Sequence, residues 1–348
     1  MKLFLKITIS ILLTASFLVL FLRSFDLGAA VRSLQAASPL LLALSVLVNL
    51  FGYLIRAWRW RWLLAPVRPG LGMYNLTSTT FIGFMVSFLV PFRVGEVVRP
   101  VLLARRERLS AGSALATIAL ERLLDALSVM SLFLVFVLTA RGAALLHGAP
   151  SAGQAARLLR HGLAAAAIFV AVGLPLLILL VAFPGRVVTW VRRVLPVGRL
   201  APLARLIDLM DNFAAGLAVL RRGRELAGVV AQSIALWLVI DLSVFIGLKA
   251  FGLPLRITDV FLLMVPLAVG IAVPTPGGVG PYEFLGQVSL SGFFAVPAAD
   301  AAAAAVTLHA IALLPTIVIG LAFMWRDGLR PSEVRTVAAA GPAGRGNA

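Results

Sequence analysis

Eight apolar stretches separated by basic segments account for most of this chain: about 4–22, 38–55, 74–91, 111–139, 162–183, 227–250, 258–273 and 298–325. At 1.5 Å of rise per residue, six of them are long enough to span a bilayer as helices. The stretches 74–91 and 258–273 are too short or too broken, and each ends at a cluster of proline, glycine and glutamate. The first cluster, Ser87–Arg99, reads Ser-Phe-Leu-Val-Pro-Phe-Arg-Val-Gly-Glu-Val-Val-Arg. The second, Val273–Glu283, reads Val-Pro-Thr-Pro-Gly-Gly-Val-Gly-Pro-Tyr-Glu. Irregular backbone at membrane depth survives only when buried in protein or lining a cavity, because its N–H and C=O groups need partners. Paired interruptions in two halves of a membrane protein point to a substrate site.

The placement of arginine decides how these stretches thread the bilayer. If the N-terminus is cytoplasmic and 74–91 dips in and returns, 23 of the 31 basic residues face the cytoplasm and seven the other side. Arg122 is then left inside the membrane. If 74–91 crossed fully, Arg93, Arg99, Arg105, Arg106 and Arg108 would face outward. By the same logic 258–295 dips in from the opposite face. The pattern predicts an all-α polytopic membrane protein with about six full transmembrane helices and two re-entrant segments, arranged as an inverted repeat. One transmembrane domain covers 1–330, with halves of about 1–160 and 161–330 and both termini cytoplasmic. Lys2 and Lys6 followed by an apolar run to Leu22 are read as a retained first helix rather than a cleaved signal. In the loop 184–226, Leu203, Leu206, Ile207, Met210, Phe213, Leu217 and Leu220 recur at helical spacing between arginines, which predicts an amphipathic helix at the cytoplasmic interface or against the base of the bundle. The Ala-, Gly- and Pro-rich tail 331–348 is expected to be disordered.

Composition agrees. Of 348 residues, 61% are hydrophobic and 13% charged, and the mean hydropathy is +1.02. A soluble domain of this size has no interior for so much apolar surface. The net charge of +17 sits between apolar spans, so the expected partners are anionic lipid headgroups and not nucleic acid. With no cysteine, and three scattered histidines (His147, His161, His309), neither thiol chemistry nor a metal site is expected, and no cofactor motif is present.

The charged residues within apolar surroundings are Glu96, Arg99, Glu121, Arg122, Asp125 and Glu283. Such groups cost several kcal/mol unless paired or hydrated, so they face inward and mark a pathway or pin helices together. Glu121 and Asp125 share a helix face, and Arg122 is within pairing distance of Asp125 along the same helix. Asp241, midway along 227–250, is a further cavity-lining candidate. Gly277, Gly278 and Gly280 permit sharp turns, while Pro91, Pro274, Pro276 and Pro281 stop a helix from running through. Freed amides at the second cluster offer a hold for phosphate, or form a structural turn only. Arg56, Trp58, Arg59, Trp60, Arg61 and Trp62 alternate at the end of the second stretch and read as a headgroup-level belt. The run Ala301–Ala305 allows close helix packing.

With these motifs in hand, the chain resembles the lysylphosphatidylglycerol synthase transmembrane family, also called the flippase-like domain family. The matching pieces are Arg56-Ala-Trp-Arg-Trp-Arg-Trp-Leu-Leu, Pro91-Phe-Arg-Val-Gly-Glu-Val-Val-Arg, Glu121-Arg-Leu-Leu-Asp and Pro274-Thr-Pro-Gly-Gly-Val-Gly-Pro-Tyr-Glu, in family order over about 1–330. The resemblance implies a multi-pass inner-membrane protein that moves an anionic, aminoacylated or polyprenyl-linked lipid between leaflets. Two departures matter: Ser87 or a neighbour stands where an asparagine is expected, and no aminoacyltransferase domain follows the last helix, so lipid aminoacylation does not carry over. On this reading Glu96 and Glu283 line a central cavity from opposite loops, Arg99 and Arg122 meet the lipid phosphate, and Glu121 and Asp125 orient the arginines. The competing readings are a membrane-embedded lipid-modifying transferase, with Glu96 or Glu283 as base, and a non-transporting scaffold for a lipid-synthesis enzyme.

Overall fold

The computed structural model describes residues 2–23, 26–147, 153–182 and 223–333, and every regular element among them is helical. The helices are α1 (Lys2–Leu22), α2 (Leu27–Ala36), α3 (Pro39–Leu64), α4 (Met73–Leu89), α5 (Gly95–Glu107), α6 (Ala111–Val137), α7 (Ala140–His147), α8 (Gly153–Ala182), α9 (Gly223–Ala250), α10 (Ile257–Ala272), α11 (Pro281–Phe294) and α12 (Ala298–Arg326). Most of the loop expected over 184–226, including the whole Leu203–Leu220 stripe, and the tail beyond 333 lie outside the described residues.

Each apolar stretch of the sequence is a helix, and local chemistry sets several of the ends. The Asp26 side chain accepts from the Ala29 amide at 2.9 Å to start α2, and Pro39 at the first turn of α3 brings a preset φ. Arg108, in the left-handed region at φ 52°, ends α5. By length and composition, α3, residues Arg224–Ala250 of α9, and α12 suffice to cross a membrane. Two bent pairs, Thr8–Leu22 with Leu27–Ala36 at 80° and α6 with α7 at 82°, raise that count to five if each is one span. The six full spans expected from hydropathy include α8, a helix of 30 residues over Gly153–Ala182.

The outer faces of these helices are apolar: Leu40, Leu47, Leu314 and Val318 are all more than half exposed. Against lipid tails such surface drives no association, so contact must come from close packing and interhelical hydrogen bonds. The pair α3–α9 shows both. Gly52 of α3 faces Leu236, Val239 and Ile240 of α9. Ser45 Oγ donates to the Ser243 carbonyl at 2.8 Å and Ser243 Oγ to the Ser45 carbonyl at 2.9 Å.

The two interrupted stretches form two helical hairpins. α4 runs in, a 3-10 turn at Pro91–Arg93 reverses the chain, and α5 packs back along α4. α10, a 3-10 turn at Pro276–Gly278 and α11 do the same. The turns share a spelling, Pro-x-x-Val-Gly, at Pro91–Gly95 and Pro276–Gly280. They share a left-handed step as well, with φ 64° at Phe92 and 52° at Arg93, and 62° at Gly277 and 81° at Gly278, and part at the valine, where ψ is −28° at Val94 and 132° at Val279. In the first hairpin Gly95 lies so close to Gly83 that a Cβ would fall 1.7 Å from the Gly83 carbonyl oxygen.

Helix α12 serves as a ruler for both hairpins. At its C-terminal end Asp327 accepts from Tyr74 Oη at 2.6 Å and from Arg106 Nη2 at 2.6 Å, so α4 starts and α5 ends there. Farther in, Gly320 lies against Phe81 and Met85. At mid-helix His309 and Leu313 meet Gly277. Toward the N-terminal end, Ala305 lies against Gly286, and Gln287 donates to the Ala298 carbonyl at 3.4 Å. The two hairpins therefore open at opposite ends of α12, and their turns touch near its middle.

Candidate functional site

Where the turns meet, the bundle holds a cavity of about 570 Å3. Arg93 and Glu96 reach it from the first hairpin, and Thr275, Gly277, Gly278 and Tyr282 from the second. α3 adds Asn49, Tyr53 and Arg56, α6 adds Arg122 and Asp125, and α9 adds Trp237. Apart from Ser87 and Ser243 the rest of the wall is apolar, with Val129, Met130, Met264 and Leu267 among its members. A few polar groups converging in an apolar hollow is the usual form of a small-ligand site.

An ion network forms the polar wall. Asp125 accepts from Arg59 at 2.8 Å and from Trp237 Nε1 at 3.1 Å, and lies 3.5 Å from Arg56 and 3.3 Å from Arg122. Arg59 is fully buried and also donates to Ser233 Oγ at 2.9 Å. Arg99 pairs with the fully buried Glu121 at 2.7 Å while its guanidinium stacks 3.9 Å from the centroid of Trp60. Glu96 holds Arg93 at 3.0 Å and Arg122 at 3.7 Å. The guanidinium of Arg56 lies over the Phe84 ring at 5.2 Å.

These contacts place the residues singled out from sequence in three groups. Glu96, Arg122 and Asp125 line the cavity, as do Gly277 and Gly278. Arg99 and Glu121 stand behind its wall and bind α5 to α6. Arg99 is therefore not among the arginines that face the cavity; Arg56 and Arg93 are. Glu96 and Arg99 lie on one helix yet do not pair with each other, because each has a partner elsewhere. Pro91 and Pro276 begin the two turns.

The belt expected at the end of α3 divides. Trp58 and Trp62 are 45% and 40% exposed, whereas Arg59 and Trp60 are completely buried. Trp60 Nε1 donates to Thr117 Oγ1 at 2.8 Å. Arg59 and Trp60 therefore correct the interfacial reading: the helical turn points them into the bundle, and Arg56 into the cavity. Asp241, a cavity-lining candidate from sequence, is buried away from the cavity lining, and its oxygens have no hydrogen-bond partner among the described residues.

Glu283 approaches the cavity from behind the second turn. Its Oε2 accepts from the Gly280 amide at 2.8 Å and its Oε1 lies 2.6 Å from His309 Nδ1. His309 Nε2 lies 2.9 Å from the Gly277 carbonyl, and Tyr282 stacks on the imidazole at 4.3 Å. A carbonyl only accepts, so Nε2 carries a hydrogen. At 2.6 Å a second proton must then lie between Nδ1 and the carboxylate, and the pair is neutral as a unit whichever atom holds it. Sequence reading passed over His309 because one histidine on an apolar helix has no spacing signal. The amides of Gly278 and Val279 donate to Thr275 and Pro276 within the turn. With Gly280 also engaged, those three amides do not offer the phosphate hold considered from sequence, which leaves the arginines as donors. Among the described residues no three His, Cys, Asp or Glu side chains stand together as metal ligands.

Residues 5–320 match the family described as Lysylphosphatidylglycerol synthase TM region. The chain is also similar to a protein named Glycosyltransferase AglD from Haloferax volcanii, with 28% identity over 344 residues. That alignment covers 91% of this chain but 54% of the relative, so the chain spans about half the length of the curated protein it matches. No solved structure matches.

Proposed function

The chain belongs to the lysylphosphatidylglycerol synthase transmembrane family, and on that premise we propose that it is a flippase-like transporter. It moves a lipid with an anionic, aminoacylated or polyprenyl-linked headgroup between the leaflets of the cell's inner membrane. The observation that carries this reading is the arginine-lined cavity between two hairpins that open at opposite ends of α12. A headgroup docked there faces guanidinium groups, while its chains lie along the apolar wall and the lipid-facing helices. The short hairpins act as the two gates, each a barrier only half a span deep, and access alternates between them. The two hairpins, with their common turn, are the cores of an inverted repeat, and the basic residues orient both termini toward the cytoplasm.

Reconstitution tests this directly. Proteoliposomes should expose a fluorescent acidic lipid of the inner leaflet to an impermeant quencher faster than protein-free vesicles. Glu96→Gln should slow that exchange about tenfold, because a site with one more uncompensated arginine charge releases an anionic headgroup less readily, while leaving the protein folded. Exchange no faster than in empty vesicles overturns the reading.

A second reading, a membrane-embedded lipid transferase, has the printed name of the relative in its favour. Conversion of lipid and sugar donor to product by the purified protein would move the assignment there.

A further inference from the structure

The proposed transport reading leaves the charge of the headgroup open, and the ion network narrows it. Around the cavity stand Arg56, Arg59, Arg93, Arg99 and Arg122 against Glu96, Glu121 and Asp125. Asp125 and Glu121 are each committed to a buried arginine, Arg59 at 2.8 Å and Arg99 at 2.7 Å. Among the described residues that leaves Arg56, Arg93 and Arg122 facing the hollow with Glu96 as the remaining carboxylate, two positive charges in excess. The neighbouring His309–Glu283 pair adds none. Arg122 is also loosely held. Arg122 reaches its three carboxylates only at 3.3, 3.7 and 3.8 Å, and its buried Nε has no hydrogen-bond partner among the described residues. Unbalanced charge in an apolar wall is costly, so the resting site is made to receive two negative charges.

We propose that the headgroup recognised here is a phosphate group bearing two negative charges, a phosphomonoester lipid or a diphosphate esterified at both ends, gripped by Arg56, Arg93 and Arg122. A phosphomonoester is close to dianionic at pH 7 and presents three oxygens to forked guanidinium donors. A phosphodiester headgroup has one charge and leaves the site one short. An aminoacylated headgroup returns positive charge to a site already in excess.

The test measures binding apart from transport. Protein in phosphatidylcholine nanodiscs is titrated at pH 7.5 with short-chain phosphatidic acid, short-chain phosphatidylglycerol and inorganic phosphate, with tryptophan fluorescence and thermal shift as readouts. Phosphatidic acid should bind about tenfold tighter than phosphatidylglycerol, with inorganic phosphate far weaker than either. Arg122→Gln and Arg93→Gln should each bring the two lipids close to equal affinity. Arg93 is the safer variant for folding, because it is a third exposed and its ion pair is with Glu96. Equal affinity in the wild-type protein, or a preference that survives both variants, overturns the dianion. Competition by inorganic phosphate at the concentration of the lipid makes this a free-phosphate site and overturns the lipid. Lipids that bind selectively yet are not exchanged in proteoliposomes refute the transport reading while the dianion site stands.

Discussion

At the scale of the residue, the network separates charges that hold the bundle from charges that face the cavity. Asp125 draws three arginines and a tryptophan N–H together from α3, α6 and α9. Asp125→Ala would strand Arg59, which is wholly buried, and removing one partner of a buried pair costs about 3–5 kcal/mol. Denaturant unfolding in detergent micelles should show a loss of that size, against less than about 1 kcal/mol for the partly exposed Glu96→Gln. Part of this division is legible in the sequence. Arg56, Arg59, Trp60 and Leu63 lie at i, i+3, i+4 and i+7, which is one helix face, while Trp58 and Trp62 fall on the other. The alternation of Arg and Trp suggests a belt, but the helical period decides. The partners of Arg59 and Arg99 were beyond reach, because Asp125 lies 66 residues from Arg59 and Glu121 lies 22 from Arg99, and spacing along one helix gives no register between helices.

At the scale of the element, the hairpins depend on glycine where backbone meets backbone. Gly95→Ala places a methyl group inside the van der Waals contact of Gly83, and neither backbone can yield without opening the hairpin. A loss of at least about 3 kcal/mol is expected, read as a fall in unfolding midpoint. Gly277→Ala meets the Phe88 carbonyl oxygen at 3.1 Å and adds a left-handed φ of 62°, which together should cost about 2 kcal/mol. The hairpins themselves could be read from the proline and glycine clusters at the ends of stretches too short to span. The tie from the second turn to α12 through His309 could not, since it joins positions 26 and 32 residues apart by side-chain geometry alone.

At the scale of the whole molecule, α12 sets which ends of the hairpins lie on which side. Arg105, at the base of the first hairpin, and Arg256, at the base of the second, are both exposed and belong to opposite ends of α12. In whole cells, an impermeant maleimide should label Arg256→Cys and spare Arg105→Cys, with no background from the rest of this chain, which lacks cysteine. The first hairpin is latched to the end of α12 through Asp327, which accepts from Tyr74, Ser78 and Arg106. Burial alone would raise the pKa of this carboxyl, but the hydrogen bonds from Ser78, Tyr74 and Arg106, with the Arg106 charge, hold it below the ordinary value. A depressed carboxyl stabilises the fold above the unfolded-state value near 4 and loses that contribution as pH falls through its own lower value. Thermal unfolding should therefore show Asp327→Asn less stable than wild type at pH 7, with the difference vanishing only in strong acid.

The two turns make the same left-handed step with different residues before their paths part at Val94 and Val279. Gly277 and Gly278 occupy the left-handed region freely, whereas Phe92 and Arg93 hold it at φ 64° and 52° at a cost on the order of 1–2 kcal/mol each. That cost is present only while the first turn is formed. If either turn unwinds during a cycle, the first releases stored energy on opening and must be wound again to close, whereas the second does neither. A mechanism with two look-alike gates, one sprung and one slack, has a built-in rest position, set by two side chains before any gradient or substrate acts on it.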